Sequence, residues 1–532
     1  MTRVALQPRV PTADLLGFAL ELQRRHEAQS STSVRKARGQ FFTPPSVAAF
    51  MARLFSTFPR ELRVLDPGAG TGTLSAAICQ EILRLRSPRH VEFVLYETDP
   101  DVIALLAENM AHCRSVLARA GHRVQYAIQQ RDFVLSAPSA VRERTLFDAP
   151  GAGEQFDAVI MNPPYYKIAG DSEHARAMGR VVHGQPNIYA LFLALAAELL
   201  RPEGELVAIT PRSFTNGPYF RDFRRWFLQH VRLQHIHLFE SRRETFREAD
   251  VLQESIITLV RKTTRDRKSI TVSTSFGRDL DEDAASMEVP ASTVIDDSSS
   301  DLVIRIPENR HDARIVKLIA SWPRRFTDHG LRVSTGKVVL FRARQFLLAS
   351  PHGASAVPLL SIHNVRPFHT LWPLTKGNKP LAFKACPASR QLLVPAKNYV
   401  LVRRFSAKEE RRRLTASCFL KDSACAPMIA LENHLNYVYH AERDLSEDEV
   451  YGLAALLNAA LFDRYFRAVS GNTQVNAAEI RSLPLPDLET VARIGKRVRG
   501  LSSFVRGASE HVVLRELGIN GALETYLEEL AL

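Results

Sequence analysis

Short apolar runs alternate with amphipathic stretches through the first half of the chain, the rhythm of strands separated by helices. Residues 12–28 bring Leu15, Leu16, Ala19, Leu22 and His26 to helical spacing, and a basic stretch (Arg35, Lys36, Arg38) follows. In the next segment, GQFFTPPSVAAFMARLF, Val47, Phe50, Met51 and Leu54 form one apolar face. Thr43 is the expected N-cap of that helix, with Pro44 in its first turn. Strands are expected near 63–66, 91–96, 124–129, 156–161, 205–210, 233–239 and 251–260, with helices at 73–85 and 187–200 among the connections. Seven strands with helices between most of them predict an α/β fold, a doubly wound, Rossmann-like sheet.

Beyond this region the rhythm stops. Residues 277–300 turn acidic and rich in Ser and Ala, as in a linker. Short strand-like runs (333–341, 399–402, 436–440) then mix with loops, and helices return near 447–468 and 488–505, a mixed α+β pattern without repeats. The expected organisation is a catalytic domain with an N-terminal helical extension (1–275), a linker (276–305) and a second domain (306–532).

A chain of 532 residues exceeds one ordinary core, in keeping with two domains. The net charge of +13 points to a polyanionic partner. That charge is regional: residues 302–345 hold ten Lys or Arg against three acids, and 376–421 hold twelve against two. Aromatic and amide residues are interleaved with it, at His363–Phe368, Trp372, Glu432–Tyr437 and Ser470–Asn476. Lys and Arg hold phosphates, while Asn, Gln and Arg read base edges, so double-stranded DNA is the expected partner of the second half. Five scattered cysteines without a CxxC pair suggest a reducing compartment and argue against a zinc site, so no metal is expected. The first residues lack the apolar run of a signal peptide, and the most apolar helix (189–200) is too short to span a bilayer and carries Glu198. A cytoplasmic protein without membrane contact is expected.

The candidate chemistry lies where the expected strands end. The first runs into Asp66-Pro67-Gly68-Ala69-Gly70-Thr71-Gly72, a turn whose glycines let a ligand approach the backbone at a helix start. Its GxGxG spacing departs from the GxGxxG dinucleotide fingerprint. Glu97-Thr98 closes the second strand, where an acid grips a ribose diol. Asp132-Phe133 follows the third and could hydrogen-bond and pack against an adenine ring. The fourth ends in Asn162-Pro163-Pro164-Tyr165. There the Asn162 side-chain oxygen and the Pro163 carbonyl can accept hydrogen bonds from an exocyclic NH2 group. Consecutive prolines stiffen the backbone, and Tyr165 offers a flat face for stacking.

Taken in order, Phe42-Thr43-Pro44-Pro45, Asp66–Gly72, Glu97, Asp132-Phe133, Asn162–Tyr165 and the basic second half resemble the gamma class of N6-adenine DNA methyltransferases from bacterial restriction–modification systems. The TaqI, PstI and XhoI methyltransferases are of this kind. The resemblance covers roughly 35–262 strongly and the second half generally, where SGNTQVNAAEIRSLPLPD resembles the close of such recognition domains. It implies S-adenosylmethionine as cofactor, held by Thr43, Asp66, Gly68, Gly70, Gly72, Glu97, Thr98, Asp132 and Phe133. Glu97 would take the ribose hydroxyls, Asp132 the adenine amino group and Phe133 the adenine face. It also implies methyl transfer to N6 of an adenine flipped out of the duplex. The catalytic residues would be Asn162, Pro163 and Tyr165, with Phe246 on the opposite face of the base. A short palindromic DNA site, a separate cognate endonuclease and residence at the bacterial nucleoid are implied as well. The tetrad is shared with glutamine methyltransferases of release factors. A glutamine or RNA methyltransferase, a non-enzymatic DNA-binding specificity module and N4-cytosine as the target are therefore the alternatives.

Overall fold

The structure is a computed structural model describing residues 14–29, 42–136, 155–179, 181, 187–239, 254–275, 280, 285–297, 301–374, 379–406, 410–424, 426–471, 474–501 and 506–531. The chain divides into two compact units, Met1–Ile304 and Arg305–Leu532.

In the first unit the elements run α1 (Leu15–Gln29), α2 (Pro45–Arg53), β1 (Glu61–Pro67), α3 (Thr73–Ile82), β2 (His90–Tyr96), α4 (Pro100–Arg119), β3 (Arg123–Gln129) and α5 (Phe133–Ser136). They continue through β4 (Phe156–Met161), α6 (Glu173–Ala177), α7 (Ile188–Leu199), β5 (Leu200–Pro211), α8 (Arg221–His230), β6 (Arg232–Phe239), β7 (Ser255–Arg261), β8 (Ser269–Ser275), β9 (Ala285–Pro290) and α9 (Ala291–Val294). The strands form one sheet in the order β3-β2-β1-β4-β5-β7-β6-β8-β9. β1, β2, β3, β4 and β5 pair in parallel, and β7 runs antiparallel between β5 and β6.

The seven expected strands are thus all present, but the sheet has nine. β8 pairs parallel with β6, and β9 closes the edge antiparallel to β8. Strand β9 lies inside the stretch 276–305 expected to be a linker. That stretch also holds α9 and an isolated bridge between Ile295 and Ile304, so it is not a linker throughout. The acidic, Ser-rich composition misleads because an edge strand is held by ladder hydrogen bonds and does not need a buried apolar face.

Helices on the sheet bury its central strands: Val64, Leu65, Asp66 and Pro67 are all buried, the pattern of a parallel strand covered on both faces. Helix α7 is buried on every side from Ile188 to Leu199, with Asn187 capping it by accepting from the Tyr189 N–H. Its uniform apolarity therefore marks a core helix. No described helix is long and apolar enough to cross a membrane.

The second unit contains a six-stranded sheet, in the order Leu331–Thr335, Leu435–His440, Tyr399–Arg403, Ala416–Phe419, Phe368–Thr370, Val365–Arg366. A five-stranded sheet runs Leu347–Leu348, Ala382–Lys384, Ala356–Leu360, Met428–Leu431, Leu393–Pro395. Helices Glu447–Asn458, Leu488–Arg499 and Arg506–Glu516 are the longest that follow them. Glu447–Asn458 begins with a capping box, Ser446 and Glu449 each accepting from the other's backbone N–H.

Candidate active site

The order of the sheet reverses at β1, with β2 and β3 on one side and β4 and β5 on the other. Crossovers leave in opposite directions there, which opens a crevice at the carboxyl ends of β1 and β4. A cavity of about 540 Å³ lies at that point, large enough for a nucleoside-sized ligand. Thr43, Gly68, Gly70, Glu97, Thr98, Asp132, Phe133 and Asn162 all line it.

The glycine turn is shaped by backbone geometry. Gly68, Gly70 and Gly72 have φ of 78°, 56° and 82°, the left-handed region open to glycine. The Gly68 and Ala69 N–H groups both donate to the Tyr96 carbonyl, at 2.9 and 2.8 Å, tying the turn to the end of β2. Glu97 completes the tie: Oε2 accepts from Gly70 N at 3.0 Å, and Oε1 accepts from Thr98 N at 2.7 Å and Asp99 N at 3.0 Å. A carboxylate has about four acceptor sites, so Glu97 keeps capacity for a further donor such as a hydroxyl.

Two of the expected cofactor residues are not on the cavity wall. A Cβ on Gly72 would meet Leu106 Cδ1 at 2.8 Å and Asn109 Nδ2 at 3.0 Å, so this glycine lets α3 pack against α4. Asp66 is fully buried beneath the turn, where Oδ2 accepts from the Ser75 hydroxyl at 2.7 Å. Burial pushes its carboxyl up to about 7, with the Ser75 hydrogen bond opposing and the charge of Glu97 adding. Its Oδ1 is buried without a hydrogen-bond partner among the described residues.

Asp132 sits at the start of α5, where Oδ1 accepts from Leu135 N at 2.9 Å. Its Oδ2 lies 2.9 Å from His174 Nε2 on α6. Phe133 is wedged between Tyr96 and Phe192, with ring centroids 5.1 and 5.2 Å away. Phe192, Tyr96 and Tyr166 also line the cavity, and like His174 they are not among the site residues expected from the sequence. Phe192 belongs to a uniformly apolar helix and His174 lies 42 residues from its partner, so neither carries a local signal.

The Asn162 carboxamide projects from the end of β4 and is held at both ends. Nδ2 donates to Thr43 Oγ1 at 3.0 Å, and Oδ1 accepts from the Tyr165 hydroxyl at 2.5 Å. The same hydroxyl has a second acceptor in the Ile209 carbonyl at 3.0 Å. Desolvation, and then Tyr189, raise the Tyr165 phenol above its ordinary range, so it stays a protonated donor. Thr43 is not the helix cap expected of it. Pro44 occupies that position without a side-chain hydrogen bond, and Thr43, one residue further out, turns to Asn162 instead. Pro163 is buried and Tyr165 half-buried, its ring edge-on to Tyr189 at 6.3 Å. Phe246 lies outside the described residues; Phe239, seven residues earlier, is buried in the core.

Residues 108–246 match the family described as Eco57I restriction-modification methylase. The chain is 35% identical over 476 residues to the type II methyltransferase M.PstI of Providencia stuartii, covering 89% of this chain and 92% of that one. It is 33% identical to the type II methyltransferase M.BsuBI of Bacillus subtilis, covering 86% and 90%. Among solved structures, the type IIL restriction-modification enzyme MmeI in complex with DNA aligns with a TM-score of 0.50 at 11% identity. That alignment covers 97% of this chain and 75% of that one, a likeness of fold.

Proposed function

The chain belongs to the type II DNA methyltransferases of restriction–modification systems, and from that premise we propose that it methylates N6 of an adenine flipped out of double-stranded DNA. The observation that carries this reading is the Asn162 carboxamide, fixed by Thr43 and Tyr165 on the wall of a cavity also lined by Gly70, Glu97 and Asp132.

S-adenosylmethionine, when bound, supplies an electrophilic methyl group on a sulfonium. The residues present fit it: a glycine cradle with an acid across it, an aromatic-lined recess by Asp132 and Phe133, and a cavity of suitable size. Glu97 and Thr98 would hold the ribose, Asp132 and Phe133 the adenine, and Gly68, Gly70 and Thr43 the remainder.

The amine of adenine is a weak nucleophile because its lone pair is delocalised into the ring. Asn162 Oδ1 and the Pro163 carbonyl would accept its two hydrogens and localise the lone pair on nitrogen. Oδ1 becomes available because the Tyr165 hydroxyl can give its proton to Ile209 instead. Fixed acceptors act without reorganising during the reaction, which makes positioning the main contribution. A strong general base is not required, since the proton leaves only after nitrogen becomes cationic. Extrusion of the base costs a few kcal/mol. Stacking on Tyr165, with Phe246 opposite, would offset that at about 1–3 kcal/mol per base.

We further infer a short palindromic target site, a cognate endonuclease on a separate protein, and action at the bacterial nucleoid. Relatives spanning about nine-tenths of the chain do not favour a glutamine or RNA methyltransferase or a non-enzymatic specificity module. The test is incubation with methyl-labelled cofactor and duplex DNA, followed by digestion to nucleosides. N6-methyladenine is expected. N4-methylcytosine would overturn the target base, and label confined to RNA or protein would overturn the substrate.

A further inference from the structure

In the second unit, segments far apart in sequence meet at one tight turn, Glu432 to His434. Asn433 N donates to the Val338 carbonyl at 2.9 Å, and Glu432 N donates to Leu360 O at 2.9 Å. Arg404 N donates to His434 O at 3.0 Å, and Val475 N to Arg404 O at 2.7 Å. The turn is therefore fixed by backbone hydrogen bonds to three separate segments, and Val475 in turn holds Arg404.

Its side chains are equally constrained. Arg404 donates from Nη1 to the Asn433 carbonyl at 3.1 Å and from Nη2 to Gln474 Oε1 at 3.2 Å. Phe405 is 38% exposed and meets the His434 ring edge-on, with centroids 4.7 Å apart. His434 Nδ1 lies 3.1 Å from Glu432 Oε1. The surroundings are basic. Burial, then Lys379, and more weakly Arg403 and Arg366, hold the nearby His363 imidazole below its ordinary pKa, and Glu432 is the one acid acting on it.

We propose that this turn is the surface with which the protein reads base edges in the DNA major groove. Arg404, His434 and Gln474 would be the specificity-determining polar groups and Phe405 the apolar contact. The proposal rests on the DNA methyltransferase reading above and adds where sequence is read. Phosphate contacts position a protein on the duplex but carry no sequence information. Here an Arg is locked to a carboxamide, and an exposed aromatic packs edge-on against an imidazole. Arg pairs with guanine, Gln with adenine, and an apolar side chain with the thymine methyl. Fixed geometry is what discrimination between base pairs requires.

The test uses the full-length protein on a plasmid library of site variants, with methylated positions mapped by sequencing. For Gln474→Ala and Phe405→Ala, discrimination against sequences differing by one base pair should fall roughly tenfold to a hundredfold at one fixed position of the site. Arg404→Lys, which keeps the charge and loses the fork, should relax a position too. Affinity for S-adenosylmethionine, measured by calorimetry, should be unchanged and reports that the chain is folded. A uniform loss of rate on every sequence with a shallower salt dependence would mark a phosphate contact and overturn the proposal. Unchanged discrimination in all three variants would overturn it as well. If the wild-type protein methylated no DNA, the functional reading would fail first and this proposal with it.

Discussion

The Asn162 carboxamide donates from Nδ2 to the Thr43 hydroxyl at 3.0 Å, across 119 residues of sequence. The contact holds the amide nitrogen on Thr43, while the Tyr165 hydroxyl holds the oxygen. With nitrogen on Thr43, oxygen is the end that the proposed function turns to an incoming amine. Thr43→Val should therefore lower kcat by about tenfold, the worth of one positioning hydrogen bond, with a much smaller change in KM for DNA. Thr43→Ser should restore most of the loss. A Val variant with unchanged kcat would show that the amide is oriented by other groups.

The three glycines after β1 should separate by assay. Gly72→Ala drives a Cβ to 2.8 Å from Leu106 at a positive φ, so the folded state should lose roughly 1–3 kcal/mol by denaturant unfolding. Gly68→Ala meets only Phe192 at 3.7 Å, so beyond the strain of its φ it should act mainly by weakening cofactor binding. If Gly72→Ala left stability intact and abolished cofactor binding alone, the packing role assigned to Gly72 would be wrong.

Asp66 should give the cofactor-free protein a distinctive pH dependence. Its folded-state pKa is raised from 3.8 to about 7, chiefly by burial. A carboxyl raised in this way contributes fully below pH 4, and that contribution is lost as pH rises through 7. The stability of Asp66→Asn relative to wild type should therefore climb between pH 4 and 8 by roughly 4 kcal/mol. Urea midpoints measured across that range check it, and parallel curves for the two proteins would contradict it.

How much of this was legible depended on whether the signal was local. The glycine turn, Glu97 and Asn162 each follow an apolar run directly and Asp132 follows a strand within three residues, so strand ends and candidate site residues could be read together and the fold brings them to one cavity. Thr43 was legible as a polar residue before a helix but not as the partner of Asn162, because the contact is made across the sheet edge. Two prolines after it move the helix start to Pro45 and leave its hydroxyl without a cap to make. Strand β9 was missed because four of its six residues are exposed and only Val289 is buried. In the second unit, strands of two to six residues pair across long sequence separations, as Val400 does with Val438. Sequence pattern could place charge there and several elements, among them the strands Tyr399–Arg403 and Leu435–His440 and the helices from Glu447 and Leu488, but not how the strands pair.

In the proposed function the Asn162 oxygen activates the amine of an extruded adenine. Single-turnover methyl transfer by Asn162→Ala on a duplex that the wild-type protein methylates tests it most directly. The variant should bind cofactor and DNA within about twofold of wild type. Its transfer rate should fall by roughly a hundredfold to a thousandfold, the scale set by removing one preorganised polar group at a reacting centre. Transfer near the wild-type rate would contradict the account.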